Sequence, residues 1–255
     1  MGEFERKVII VTGAGSGIGR GTALLFGRER AKVVAIDWNA PAGEETATMI
    51  TQQGGEVLFL KTDIGASQEV EQAVKTTVTR YGRIDVLFAN AAVQFNKSVV
   101  ETTEEEWEWL QRVNLKGTFL CCKHVIPVMQ KQRSGSIIIS TSGHAFVTYP
   151  NSSCYAASKG GLVAFMRGVA LDYASDGIRA NCIIPGATDA PLLRNYLKGC
   201  ADPEAEEKRI LSTIPLRRFA TPEDIAKGVR FLASDDAGYV TGSCLAVEGG
   251  FLAQG

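Results

Sequence analysis

Residues 7–19 read KVIIVTGAGSGIG, and this stretch decides the fold. Its first half, 7–12, is short, apolar and β-branched, the composition of a buried strand. Its second half, Thr12-Gly13-Ala14-Gly15-Ser16-Gly17-Ile18-Gly19, is a glycine-rich turn. The turn runs straight into a helical pattern over 17–30, with Ile18, Leu24 and Leu25 on the apolar face. The strict G-x-G-x-x-G spacing is absent. Its physical requirement is still met, because glycines allow a tight turn and let backbone N–H groups approach a pyrophosphate. The helix that starts at once points free N–H groups and a positive dipole end at the anion. A second strand, 32–36, leads to Asp37, 20 positions beyond Gly17. A carboxylate there accepts hydrogen bonds from an adenosine ribose and repels a 2′-phosphate. Trp38 and Asn39 follow in place of Arg or Lys, and Ser16 stands inside the turn where a basic residue would favour the phosphate. These features predict a dinucleotide cofactor, NAD in preference to NADP, bound by Gly13, Ser16, Gly17, Ile18, Gly19, Asp37 and Trp38.

The same alternation continues outward. Helical periods at 41–53, 68–80, 104–131 and 153–174 separate strands at 56–61, 84–88, 135–140 and 178–184, and a last strand lies at 243–247. Thr221-Pro222-Glu223-Asp224 opens a late helix with a capping hydroxyl, Pro at the first helical position and acids in the first turn. Strands apolar on both faces, alternating with helices, predict a parallel sheet covered on both sides. Right-handed crossovers make it doubly wound: an α/β fold of three layers, α/β/α, of the Rossmann type. No linker or repeat divides the chain, so one domain over 1–255 is expected. The least regular stretch, 187–215, follows a strand's carboxyl end, where open α/β sheets bind ligands. It is either a mobile substrate lid or a plain surface excursion.

Composition narrows the partners. Lys plus Arg total 27 against 28 Asp plus Glu, so the basic footprint of a nucleic-acid binder is missing. The acidic run at 104–106 reads as a solvated helix start. The N-terminus lacks a basic region followed by an apolar core, and Arg6 stands where a myristoylation signal needs Ser or Thr. No apolar run approaches the roughly 20 residues of a membrane span. A cytoplasmic protein with a small-molecule substrate, and with neither nucleic-acid nor membrane partners, is expected. Cys121, Cys122, Cys154, Cys182, Cys200 and Cys244 form no C-x-x-C pair, and only two histidines are present. No metal site is expected, and the thiols read as small apolar side chains.

Tyr155 and Lys159 lie four apart near a helix start and so share one face. A free phenol titrates near about 10, too high for a base at neutrality, and an adjacent ammonium stabilises its phenolate. Ser142 follows the 135–140 strand, 13 positions before Tyr155. Asn114 lies within the 104–131 helix, and Pro185-Gly186-Ala187-Thr188 follows the next strand. Each sits near a carboxyl end of the sheet or on a flanking helix, so one cleft can collect them.

With these residues in place, the chain resembles the short-chain dehydrogenase/reductase family, in its single-domain branch, from Lys7 to Gly250. The family's T-G-x-x-x-G-x-G falls on Thr12 to Gly19. Its Asn-Ala-Gly after the fourth strand is met by Asn90-Ala91, with Ala92 for the Gly and Ala89 for a preceding Asn. Val240-Thr241-Gly242 through Val247-Glu248-Gly249-Gly250 also match, with Glu248 where Asp is common.

The resemblance implies a catalytic set of Asn114, Ser142, Tyr155 and Lys159. Ser142 would hydrogen-bond the substrate oxygen, and Tyr155 would exchange its proton. Lys159 would lower the Tyr155 pKa and hold the nicotinamide ribose, and Asn114 would support a water and backbone relay to Lys159. It adds Asp63, Ile64, Asn90, Ala91, Pro185, Gly186 and Thr188 to the cofactor contacts, with Asp63 at the adenine and Thr188 at the carboxamide. It implies a homo-oligomer, a tetramer, in which the 104–131 and Tyr155 helices pair between subunits. Trp107 and Trp109 serve that interface or are buried in one subunit. The expected activity is NAD-dependent hydride transfer with a secondary alcohol of sugar, polyol, steroid or hydroxyacyl type. A carbonyl reductase, such as a 3-oxoacyl reductase, and a non-catalytic NAD-binding regulator are the alternatives. Gln94, Ser142, His144 and Tyr155 are the substrate candidates, and Tyr149 and Tyr196 join them by position alone. His144 equally suits a plain loop residue, and Cys154 is read as packing.

Overall fold

The structure, a computed structural model, describes residues 2–253. The first half runs β1 (Val8–Thr12), α1 (Gly17–Arg28), β2 (Lys32–Asp37), α2 (Ala40–Gln52), β3 (Glu56–Lys61), α3 (Ser67–Tyr81) and β4 (Val86–Ala89). The second half runs α4 (Glu104–Gln111), α5 (Gly117–Gln132), β5 (Gly135–Ser140), α6 (Ser153–Tyr173), β6 (Ile178–Pro185), α7 (Pro191–Lys198), α8 (Pro203–Ser212), α9 (Pro222–Ala233) and β7 (Cys244–Val247). The strands form one sheet in the order β3-β2-β1-β4-β5-β6-β7, parallel throughout. This is the Rossmann-like arrangement the sequence predicts. The strand order reverses between β1 and β4, and that reversal opens a crevice at the carboxyl edge.

The alternation of side chains along each strand builds the two outer layers. Val8 and Ile10 of β1, Val34 and Ile36 of β2 and Ile137 and Ile139 of β5 face α3, α5 and α6. Their neighbours Ile9, Val11, Val33, Ala35 and Ile138 face α1 and α9 on the other side. Both faces are thus buried, which is why these strands read as unbroken apolar runs.

Two elements differ from the sequence reading. The 104–131 segment is helical throughout but contains a π-helical turn, Arg112–Lys116, between α4 and α5. Asn114 sits in that turn. The 187–215 stretch is not irregular: it carries α7 and α8, helices of 8 and 10 residues. Leu192, Leu193, Tyr196 and Leu197 do repeat at helical spacing in α7, but over only 8 residues, and α8 is dominated by charge. Yet Pro191 near the start of α7 and the Asp202-Pro203 cap of α8 are the same kind of start signal that marks α9.

Candidate active site

A cleft of about 720 Å³ runs along the carboxyl edge of the sheet, from the glycine turn and Asp37 to Ser142, Tyr155 and Phe251. At its first end the glycines are required by contact. Gly13 and Gly17 take φ of +67° and +51°, which side chains tolerate poorly. A Cβ on Gly15 would lie 2.8 Å from Asp37 Oδ2. The absence of a side chain lets the Gly15 N–H donate to that oxygen at 2.7 Å, and the Asn39 N–H donates to Oδ1 at 2.9 Å. Asp37 is buried to 9% exposure, lines the cleft, and keeps acceptor capacity on both oxygens. Trp38 beside it is exposed and also lines the cleft.

The turn is braced from behind. The Arg20 guanidinium donates to the Gly15 carbonyl at 2.5 Å and to Thr46 Oγ1 at 3.0 Å, and it pairs with Glu45. Thr12 Oγ1 accepts the Asn90 and Ala91 N–H groups at 2.9 and 3.1 Å, which fastens the β4 loop to β1. Gly13, Ser16, Gly17, Ile18, Asn90 and Ala91 line the cleft. Gly19 does not line it: a Cβ there would lie 2.0 Å from the Gly13 carbonyl oxygen, so Gly19 seats the helix under the turn. Asp63 and Ile64 also reach the cleft. The Asp63 carboxylate is paired with Arg112, a residue the sequence reading missed. Burial would raise its pKa, but the Arg112 hydrogen bond, the Gly65 N–H and the Arg112 charge hold it below the ordinary carboxylate value. These groups fit a dinucleotide: a side-chain-free turn for the pyrophosphate, and a buried acceptor carboxylate at the end of β2 for the ribose.

At the other end, α6 presents Tyr155 and Lys159 on one face, as their spacing requires. Lys159 is 2% exposed. Its ammonium donates to the Ser140 carbonyl at 2.9 Å and lies 5.6 Å from the centre of the Tyr155 ring. Burial pushes Tyr155 up to about 12, with the Ser142 hydroxyl acting against it, and burial pushes Lys159 down to about 8. The expected lowering of Tyr155 by Lys159 is therefore not the dominant effect in the free protein, because desolvation outweighs it. Ser142 caps the short turn Gly143–Ala145 and accepts the His144 N–H at 3.2 Å. Burial holds the His144 ring below its ordinary pKa.

Asn114 is buried and does not line the cleft. Its side chain accepts the Val93 N–H at 2.8 Å and donates to the Val93 carbonyl at 2.9 Å and to Ser158 Oγ at 3.1 Å. Ser158 in turn donates to the Tyr155 carbonyl at 2.7 Å. Asn114 thus ties the β4 loop to the helix that carries Tyr155. Pro185, Gly186 and Thr188 line the cleft, as do Gln94, Tyr149 and Tyr196. Phe251 and Arg209 were not anticipated, since nothing in their local sequence links them to residues so far away in the chain. Cys154 packs with Leu110 and Tyr155. Trp107 and Trp109 are both partly exposed, and Trp109 reaches the cleft. Four of the six free cysteines are buried; Cys200 and Cys244 are partly exposed. No group of metal-ligating side chains and no helix able to cross a membrane occur among the described residues.

The family described as enoyl-(acyl carrier protein) reductase matches residues 13–252. The chain belongs to the short-chain dehydrogenase/reductase family. It is 36% identical to a 3-oxoacyl-(acyl carrier protein) reductase of Thermotoga maritima, over 98% of this chain and 99% of that one. It is also 36% identical to 2,5-dichloro-2,5-cyclohexadiene-1,4-diol dehydrogenase of Sphingobium indicum, over 99% of this chain and all of that one. The solved structure of an NAD+-bound xylitol dehydrogenase superposes with a TM-score of 0.93 at 30% identity, over 97% of this chain and all of that one. The short-chain dehydrogenase/reductase fold binds a nicotinamide cofactor, and this chain is an oxidoreductase acting on alcohol or carbonyl groups.

Proposed function

We propose that this short-chain dehydrogenase/reductase is an NAD-dependent dehydrogenase of secondary alcohols in which Tyr155 exchanges the proton. NAD supplies the hydride acceptor when bound, and its reduced form the donor. The observation that carries the cofactor preference is the Asp37 carboxylate, which lines the cleft with both oxygens already fixed by backbone N–H groups. A 2′-phosphate placed there would meet a negative charge, while Arg20 is held behind the turn by Gly15, Thr46 and Glu45. The NAD+-bound xylitol dehydrogenase, similar along nearly its whole length, supports the same preference.

Within the site, Ser142 orients the substrate oxygen by donating a hydrogen bond, and Tyr155 takes the alcohol proton or returns it to a carbonyl. General acid–base help of this kind contributes about 10²–10⁴ in rate. Lys159 positions the phenol and favours its ionised form once a second positive charge stands nearby. Asn114 fixes the β4 loop against α6, and its place in a proton relay belongs to this proposal. The whole chain acts as one domain, with 187–215 as the substrate lid, since α7 and α8 bring Leu192, Tyr196 and Ile210 to the cleft. A cytoplasmic homotetramer completes the proposal. A carbonyl reductase running the same chemistry in reverse is favoured by the 3-oxoacyl reductase relative.

The test is NADH formation by the purified protein with secondary alcohols, with NADP run in parallel. Turnover with NAD well above that with NADP supports the reading. A preference for NADP contradicts the role given to Asp37.

A further inference from the structure

We propose that the substrate is a compact, uncharged, ring-bearing alcohol or ketone, held in a slot walled by aromatic side chains; this rests on the dehydrogenase reading above. The relatives act, by name, on an acyl carrier substrate, a cyclohexadiene diol and a polyol, and the reaction end of the cleft discriminates among these chemistries.

The wall begins at the reacting phenol. The His144 ring stands edge to face with Tyr155 at 5.6 Å and with Tyr149 at 5.4 Å. Tyr149 continues to Phe251 at 5.9 Å. Phe251 also closes over the backbone beside Ser142, since a Cβ on Gly143 would lie 3.3 Å from its ring. Leu192 and Ile214 add aliphatic surface from the lid side. Such faces and edges favour flat or puckered hydrocarbon rings.

Charge on the lid side of this end is already matched. Arg209 lines the cleft, yet its guanidinium donates to both Glu206 oxygens, at 2.8 and 2.7 Å, and lies over the Tyr149 ring. Glu206 also accepts the Tyr196 hydroxyl at 2.7 Å. Lys159 is engaged by the Ser140 carbonyl. Arg209 keeps unused N–H groups, but its charge is balanced by Glu206, so a substrate carboxylate or phosphate gains little there. A polyol needs a hydrogen-bond partner for every buried hydroxyl. Ser142 and Tyr155 serve the reacting oxygen; one Gln94 N–H is taken by Asn96, the His144 Nδ1 by Thr148 and the Tyr196 hydroxyl by Glu206, so further substrate hydroxyls meet few open partners here.

The test compares cyclohexanol and trans-cyclohexane-1,2-diol with sorbitol and with 3-hydroxybutyrate, using the full-length protein and NAD. Calorimetry of cyclohexanol on the protein–NADH complex measures binding without turnover. The expected result is kcat/KM at least about tenfold higher for the ring alcohols, as one or two ring contacts provide. Phe251→Ala and Tyr149→Ala should raise KM and the calorimetric Kd for cyclohexanol about tenfold. NADH affinity should stay unchanged, and Tyr149→Phe should restore wild-type values. Tyr155-dependent turnover that favours sorbitol or 3-hydroxybutyrate overturns the ring assignment and leaves the dehydrogenase reading standing. Absence of turnover with the ring alcohols, and with cyclohexanone and NADH, likewise overturns the ring assignment, whereas failure of the protein to bind NADH at all counts against the dehydrogenase reading.

Discussion

Lys159 is buried at a cost to the fold. In the unfolded chain it holds its proton to about 10.5, whereas in the folded protein it releases it near 8. Below pH 8 the native state therefore carries a poorly solvated charge, and that penalty lifts as pH rises from 8 toward 10.5. Lys159→Met should abolish most turnover yet raise stability at pH 7 by on the order of 1–3 kcal/mol. The gain should shrink by pH 10, as read from thermal unfolding at the two pH values. Asp37 carries a second prediction. Asp37→Ala removes the acceptor of the Gly15 N–H and a carboxylate that lines the cleft, so under the proposed role the ratio of NADP to NAD dissociation constants should fall by about tenfold or more. Direct titration of both cofactors measures it. At this scale Tyr155, Lys159, Ser142 and Asp37 were legible because each is fixed by short-range spacing or by its place at a strand end. Arg112 was not: it meets Asp63 across 49 positions, and no local pattern announces such a pair. The upward push of burial on Tyr155 in the free protein was not legible for a related reason, because burial is a property of the assembled site.

Among the elements, the π-helical turn at Arg112–Lys116 matters most, since it places Asn114 between the β4 loop and α6. Asn114→Ala leaves the Val93 N–H and carbonyl and the Ser158 hydroxyl short of a partner. A loss of roughly 2–4 kcal/mol is expected from buried groups left unsatisfied, measured by urea unfolding. If Asn114 also serves a proton relay, kcat falls further than KM rises, a split that lost stability alone does not produce. The helical period over 104–131 identified this helix, but the extra residue per turn leaves no mark on the apolar spacing. The opposite holds for 187–215, where start signals at Pro191 and Asp202-Pro203 were present. Both helices are short and α8 is dominated by charge, which masked them, and the stretch read as coil.

Taken whole, the molecule arranges a long cleft across the point where strand order reverses. The glycine turn, Asp37 and Asp63 lie over β1, β2 and β3, and Ser142, Tyr155 and Lys159 lie over β5 and β6. That much followed from alternating apolar strands and helices, because parallel strands with both faces covered have few other solutions. His144 and Tyr149 were candidates by position, but Phe251 was not, since it joins them only when the last turn of the chain folds over the site. The pH response is a property of the assembled cleft. Burial raises Tyr155 in the cofactor-free protein, and the charge of a bound oxidised nicotinamide acts the other way; alcohol oxidation, which needs the phenol deprotonated, should therefore accelerate as pH rises through the alkaline range, with its midpoint below the free-protein value. Carbonyl reduction needs the same proton and should slow over the same range. Initial rates in both directions across the alkaline range check the sign.

The most direct test is a comparison of wild-type protein with Tyr155→Phe, measuring NADH formation from a competent alcohol and NADH binding on the same samples. The account predicts that turnover falls by about 10² or more while NADH affinity stays within a factor of about 2, because only the proton path is removed. Near-normal turnover in Tyr155→Phe would contradict it.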